Sequence, residues 1–158
     1  LPEKDRRSKE LVMNHLVFFT LFTIAGLAFV ACQPADRVDL VVTDSWGRPS
    51  PASAANAAFY MNIRNTGRAP DSLENAEIDI CDDTQLHETN IDDDGVMSMA
   101  HVMEIDIPNG ETVSLEPGGL HVMCLGLKSP LEAGEMIPIK LFFAETGELQ
   151  VQAEIRER

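Results

Sequence analysis

Turn residues interrupt this chain so often that an ordinary helix has no room to form between them. Past residue 37 the breaks are GRPSPASAANA (47–57), TGRAPDS (66–72), DDT (82–84), DDDG (92–95), PNGE (108–111), EPGG (116–119), KSPLEAGEM (128–136) and ETGE (145–148). Gly, Pro, Asn and Asp at this density set turns rather than helix interiors. The runs between them are rich in Val, Ile, Leu and Phe, and none keeps a 3.6-residue apolar period over three turns. They read as strands over 38–46, 58–65, 73–81, 85–91, 96–107, 112–115, 120–127, 137–144 and 149–155, the last two closing as a hairpin. Residues 38–158 therefore form one all-β domain, an antiparallel sandwich, with a core of ordinary size.

The first 32 residues follow a different rule. Lys4, Arg6, Arg7 and Lys9 precede an apolar stretch from Leu16 to Ala31, which ends at Cys32. Basic, then apolar, then small residues is the order of an export signal. FVAC at 29–32 resembles a lipobox, in which Cys32 becomes the lipidated N-terminus after cleavage; Phe29 stands where that pattern prefers Leu. An uncleaved anchor helix is the alternative, since about 20 apolar residues span a bilayer. Met13 competes with Leu1 as the start of the polypeptide. Residues 33–37, QPADR, make a short tether. The expected location is the periplasm or the outer face of the cytoplasmic membrane, with the outer membrane as a variant, and the protein membrane-anchored in each case.

Without the leader, 8 Lys and Arg face 23 Asp and Glu. Phosphate contacts need clustered cations, so nucleic acid is excluded as a partner. No nucleophile elbow, paired catalytic carboxylates or Ser/His arrangement marks an enzyme. Cys81 and Cys124 either bridge, as exported cysteines often do, or stay as two buried thiols. Asp92, Asp93 and Asp94 lack the spaced ligands of a calcium loop and read as a solvated turn. Trp46 and Tyr60 read as core aromatics.

Histidine and methionine carry the chemistry. In VMSMAHVM, Met97, Met99, His101 and Met103 share one parity, so a strand there shows a face of thioethers and one imidazole. His121 and Met123 repeat the pattern in LHVMCL, with Cys124 on the opposite face. Side chains at i and i+2 of a strand start about 7 Å apart and can share an ion. Thioether sulfur is soft and neutral, which suits Cu(I) and suits Ca, Mg or Zn poorly. Imidazole adds affinity for either copper redox state.

The long-range spacing is more specific. His87 is followed by Glu88, ten residues and Met99; then come twenty-one residues and His121-Val122-Met123. This arrangement resembles the motif of the PCuAC family of periplasmic copper chaperones, with no insertion and one departure, Glu88, where the motif permits Met. The likeness extends over DSWGRPSP, AAFYMNIRNTG and the stretch to the last strand. It implies a cupredoxin-like Greek-key β-sandwich holding Cu(I) near its surface on His87, Met99, His121 and Met123. It also implies delivery to the binuclear copper site of cytochrome c oxidase, alongside Sco-type proteins. Met97, His101 and Met103 are candidates for a secondary metal site, or packing and solvent-side residues. Two other functions fit a sandwich: a cupredoxin-type electron carrier, which needs a thiolate such as Cys124 among its ligands, or a metal-free adhesive domain.

Overall fold

The computed structural model describes residues 38–92 and 94–157. The leader, Cys32 and the tether lie outside the described residues. Ten strands follow in chain order: β1 (Leu40–Gly47), β2 (Asn56–Asn65), β3 (Asp71–Glu77), β4 (Asp83–Ile91), β5 (Met97–His101), β6 (Ile105–Ile107), β7 (Thr112–Leu115), β8 (Leu120–Leu125), β9 (Met136–Phe143) and β10 (Gly147–Ile155). No helix among the described residues is long and apolar enough to cross a membrane.

Hydrogen bonding runs in the order β5-β4-β8-β2-β1-β10-β9-β3-β6, with β7 also on β2. β7 and β8 lie end to end along one edge of β2, at Met61–Arg64 and Asn56–Phe59. The ladder doubles over at β1. Its register slips between Thr43 and Trp46, and Asp44 takes a left-handed φ of 53°. Beyond this bulge, Trp46 and Gly47 still pair with β2 and also pair in parallel with β10. Gly47 is required at the fold line: a Cβ there would stand 3.0 Å from the Phe59 ring and 3.1 Å from Ile155.

The doubled ladder makes two layers with the core between them. Phe59, Met61, Ile63, Leu86, Val122 and Cys124 come from one layer; Leu73, Ile139, Leu141, Phe143, Ala153 and Ile155 come from the other. Burial of each large aliphatic or aromatic side chain stabilises the fold by roughly 1.5–3 kcal/mol. Cys81 and Cys124 are joined by a disulfide, Cα–Cα 5.5 Å, between the entrance to β4 and the end of β8.

The expected single strand over 96–107 is two. Among the described residues the β5 segment is exposed throughout and pairs only with β4, whereas Ile105 and Ile107 of β6 are buried and pair with β3. The chain crosses between layers at Val102–Glu104, so the thioether row ends at His101 and Met103 lies past it, 79% exposed. Strand 73–81 shifts to Asp71–Glu77, because Ile78–Asp82 turns toward the disulfide.

Two polar residues inside the fold are tied off completely. Asn65, fully buried, donates through Nδ2 to the carbonyls of Ala69 (2.8 Å) and Ile107 (3.2 Å) and accepts from the Gly67 amide (2.9 Å). Asp71 accepts from the amides of Ser72 (2.8 Å), Glu145 (2.9 Å) and Thr146 (3.0 Å), holding the β9–β10 turn. Burial pushes the Asp71 carboxyl up, but the Thr146 side chain and these three amides outweigh it and hold its pKa below the usual value.

Candidate metal centre

Strand register builds the site on the outer face of β5, β4, β8, β2 and β1. His87 pairs with His101 on one side and with His121 on the other. Cross-strand partners point to the same face, so three imidazoles stand in a row. Ring centroids are 6.0 Å apart for His87 and His101 and 5.8 Å for His87 and His121, each pair at 66°. The row continues inward: Tyr60 lies 6.3 Å from His121, and Trp46 4.7 Å from Tyr60. Trp46 and Tyr60 are buried, as expected for core aromatics, yet they stand outside the main core cluster and cover His121 from this outer face. Burial raises the Tyr60 phenol, against an opposing effect of Arg48, so Tyr60 acts as a neutral wall.

The methionines flank the row. Met99 pairs with Thr89, two residues along β4 from His87; Met123 pairs with Gln85, two residues the other way. Both are diagonal neighbours of His87, at the ~7–8 Å Cα separation that long side chains bridge. His87 is thus the hub of all four motif positions. Met97, opposite Ile91, is two rows further out at the hairpin tip.

Hydrogen bonds fix which nitrogens face the site. The His121 Nδ1–H donates to the Gly119 carbonyl at 3.0 Å, leaving the lone pair on Nε2. That carbonyl also accepts from the Thr89 amide at 3.1 Å, so β4 itself positions the orienting group. The His87 Nε2–H donates to Gln85 Oε1 at 3.0 Å, and Gln85 is held in turn through its Nε2 on Asp83 Oδ2 at 2.7 Å. His87 Nδ1 is then left buried with a lone pair and no partner. Burial lowers the His87 pKa, with help from the neighbouring His121 and His101, so the ring stays neutral at pH 7. Gln85 and the Gly119 carbonyl were not among the residues singled out by sequence; the position of Gln85, two before His87 on the same face, was the available signal.

Among the described residues, no three His, Cys, Asp or Glu side chains gather as a metal-binding group. Nitrogen donors alone do not close a centre on this face, so any further donors are the thioethers beside them. His101 is exposed, on the solvent side as one reading had it, but faces His87. Cys124 has no exposure, points into the core and is bonded to Cys81. Asp92 caps its own turn by accepting from the Asp94 and Val96 amides.

Residues 40–155 match the family described as "Putative lipoprotein LpqE-like". The chain belongs to the LpqE-like family. A Leifsonia xyli subsp. xyli relative, "Putative lipoprotein Lxx21020", is 32% identical over 129 residues, covering 80% of the LpqE-like chain and 76% of its own length. The fold is that of PCuAC domains. The apo PCuAC domain from PmoF1 superposes with a TM-score of 0.66 at 27% identity, over 77% of the LpqE-like chain and 98% of that domain. The Cu(I) form of DR1885 from Deinococcus radiodurans superposes at 0.54 with 28% identity, over 85% and 87% of the two chains.

Proposed function

We propose that this LpqE-like protein is an extracytoplasmic Cu(I) carrier that binds copper through His87, Met99, His121 and Met123 and passes it to an acceptor protein. The observation that carries this reading is His87 Nδ1, a buried lone pair with no partner, set beside His121 and diagonal to both methionines. An unpaired buried acceptor is costly unless a ligand completes it. Two fixed imidazoles and two thioethers suit a soft monovalent ion. The likeness to the PmoF1 PCuAC domain and to DR1885, which was solved with Cu(I), supports the same cargo.

All four donors are neutral. Copper therefore leaves by exchanging ligands one at a time with a partner offering stronger donors, without proton release from thiols. The carrier role calls for binding and handover, not turnover, and the protein is not an enzyme. As acceptor we infer a copper-site protein of the respiratory chain, the copper subunit of cytochrome c oxidase or a Sco-type protein. The lipoprotein name of the Leifsonia relative supports an exported, membrane-tethered location, with Cys32 as the lipidated residue. Cys32→Ser would then release the protein from the membrane fraction.

An electron-transfer role is disfavoured by the disulfide, since Cys124 offers no thiolate and faces away from His121. Copper competition with a Cu(I) chelator tests the main reading. Binding in the wild type and at least tenfold weaker binding in Met123→Leu are expected, about 1.4 kcal/mol; equal affinities would refute the ligand assignment.

A further inference from the structure

The donors around His87 are more numerous than the four-ligand reading uses. On β8 stand His121 and Met123, and on β5 stand His101 and Met99, so that His87 has an imidazole beside it and a thioether diagonal to it on each flank. The two imidazole neighbours are almost equivalent, at 5.8 and 6.0 Å and the same 66° interplanar angle. They differ in exposure. His121 is only 4% exposed, walled by Tyr60, whereas His101 and Met99 stand in the open on β5, the last strand of the ladder.

We propose that His101 is the handover ligand of this protein: it takes Cu(I) over from His121 and presents it at the open edge with His87 and Met99. This rests on the Cu(I) reading above and assigns a role that reading leaves empty. His87 keeps Nε2 on Gln85 and so has one lone pair to give. It holds one ion at a time, and the two flanks are alternative partners rather than two simultaneous sites. The lack of three converging nitrogen donors agrees, because His101, His87 and His121 do not close on one point. In the step, a bond from a His101 nitrogen to copper forms as those from His121 Nε2 and Met123 break. His87 and Met99 stay attached, and the oxidation state is unchanged. Copper moves from a walled position to one a partner can touch, and it is never left bare.

The test is a double-substitution cycle on the full chain, read by Cu(I) competition and by imidazole 15N resonances. His101→Ala alone should weaken Cu(I) binding only about threefold, because the inner set remains. His121→Ala should weaken it about thirtyfold and should move the His101 resonances on addition of Cu(I), since copper then rests on the outer set. Adding His101→Ala to His121→Ala should cost at least a further tenfold, well beyond its effect alone. Strictly additive losses, or His101 resonances that ignore copper, would overturn the proposal. If His121→Ala does not fold, His121→Gln, which keeps more of the packing, carries the same comparison. With His121 intact, His101→Ala should slow copper transfer to a chelating acceptor about tenfold, and an unchanged rate would also overturn it. A wild type that binds no Cu(I) at all would instead defeat the carrier reading itself.

Discussion

Two regions of this sandwich treat their polar side chains in different ways. Around the 66–70 turn between β2 and β3, Asp71 at the start of β3 takes three amide hydrogen bonds, and Asn65 at the end of β2 makes three more. On the outer face of β4 and β8, each histidine has one nitrogen anchored and its other nitrogen left to the site, His87 with no partner at all. A satisfied polar group stabilises a fold, whereas an unsatisfied one costs free energy that a ligand can recover. Substitutions in the first region should therefore cost stability and spare copper, and those in the second should do the reverse.

The largest effect should come from the disulfide, which ties the segment leading into β4 to β8, the two strands that carry His87 and His121. Cys81 and Cys124 are 43 residues apart, and closing a loop of that length restricts the unfolded chain by about 4 kcal/mol in the chain-entropy description. Cys81→Ala with Cys124→Ala should lower the urea midpoint accordingly. Copper affinity should fall with it only as far as the register of β4 on β8 loosens. A double variant as stable as the wild type would show that the core alone holds these strands.

Next is Asp71→Asn. The amide turns one acceptor into a donor facing backbone N–H groups, so a loss of about 2 kcal/mol is expected, in the range for hydrogen bonds to charged groups. The pH dependence has a definite sign. The folded carboxyl titrates below its unfolded value, so its stabilisation is full above about pH 4 and disappears as pH falls through the lowered folded pKa. Wild type and Asp71→Asn should thus converge in stability under acid. A gap that persists to the lowest pH would mean that the substitution acts by packing rather than charge. Cu(I) affinity should stay within about twofold, as for distant independent sites.

Met123→Leu reverses the pattern. Leucine keeps the volume and removes the sulfur, so apo stability should change by less than about 1.5 kcal/mol, while Cu(I) affinity drops at least tenfold. A loss of stability without loss of copper would place Met123 with the packing residues.

The sequence carried the all-β class through its turn residues, and the wide spacing of His87 from His121 is exact enough to survive folding into adjacent, paired positions. Other features leave no local trace. Val102–Glu104 continues the alternation of β5, and only the contrast between an exposed edge strand and a buried β6 breaks the run there. In β2, Phe59, Tyr60 and Met61 are buried in succession, so parity cannot tell that Tyr60 faces the histidines rather than the core. Asn65 and Asp71 sit in a stretch that reads as an ordinary turn; partners 42 and 74 residues away give them their roles. Glycine is similar at Gly126, where φ is +65° and a Cβ would lie 2.5 Å from Asp82: the turn is legible, but the contact is not.

The smallest expected effect separates position from composition along β5. Met97 and Met99 share residue type, parity and exposure, 63% and 58%, so the sequence pattern treats them alike. Register does not. Met99 is diagonal to His87, and Met97 pairs with Ile91, four residues along β4 from that histidine. A side chain spans one diagonal of about 7–8 Å but not a second one beyond it. Met97→Ser, at an exposed site on an edge strand, should shift stability by no more than about 0.5 kcal/mol. It should leave Cu(I) affinity within about threefold, under 0.7 kcal/mol, while Met99→Ser costs at least tenfold. Chelator competition on the two variants side by side reads this directly. Equal losses would mean that copper is held by a movable row of sulfurs along the hairpin, and that His87 is not the hub that register makes it.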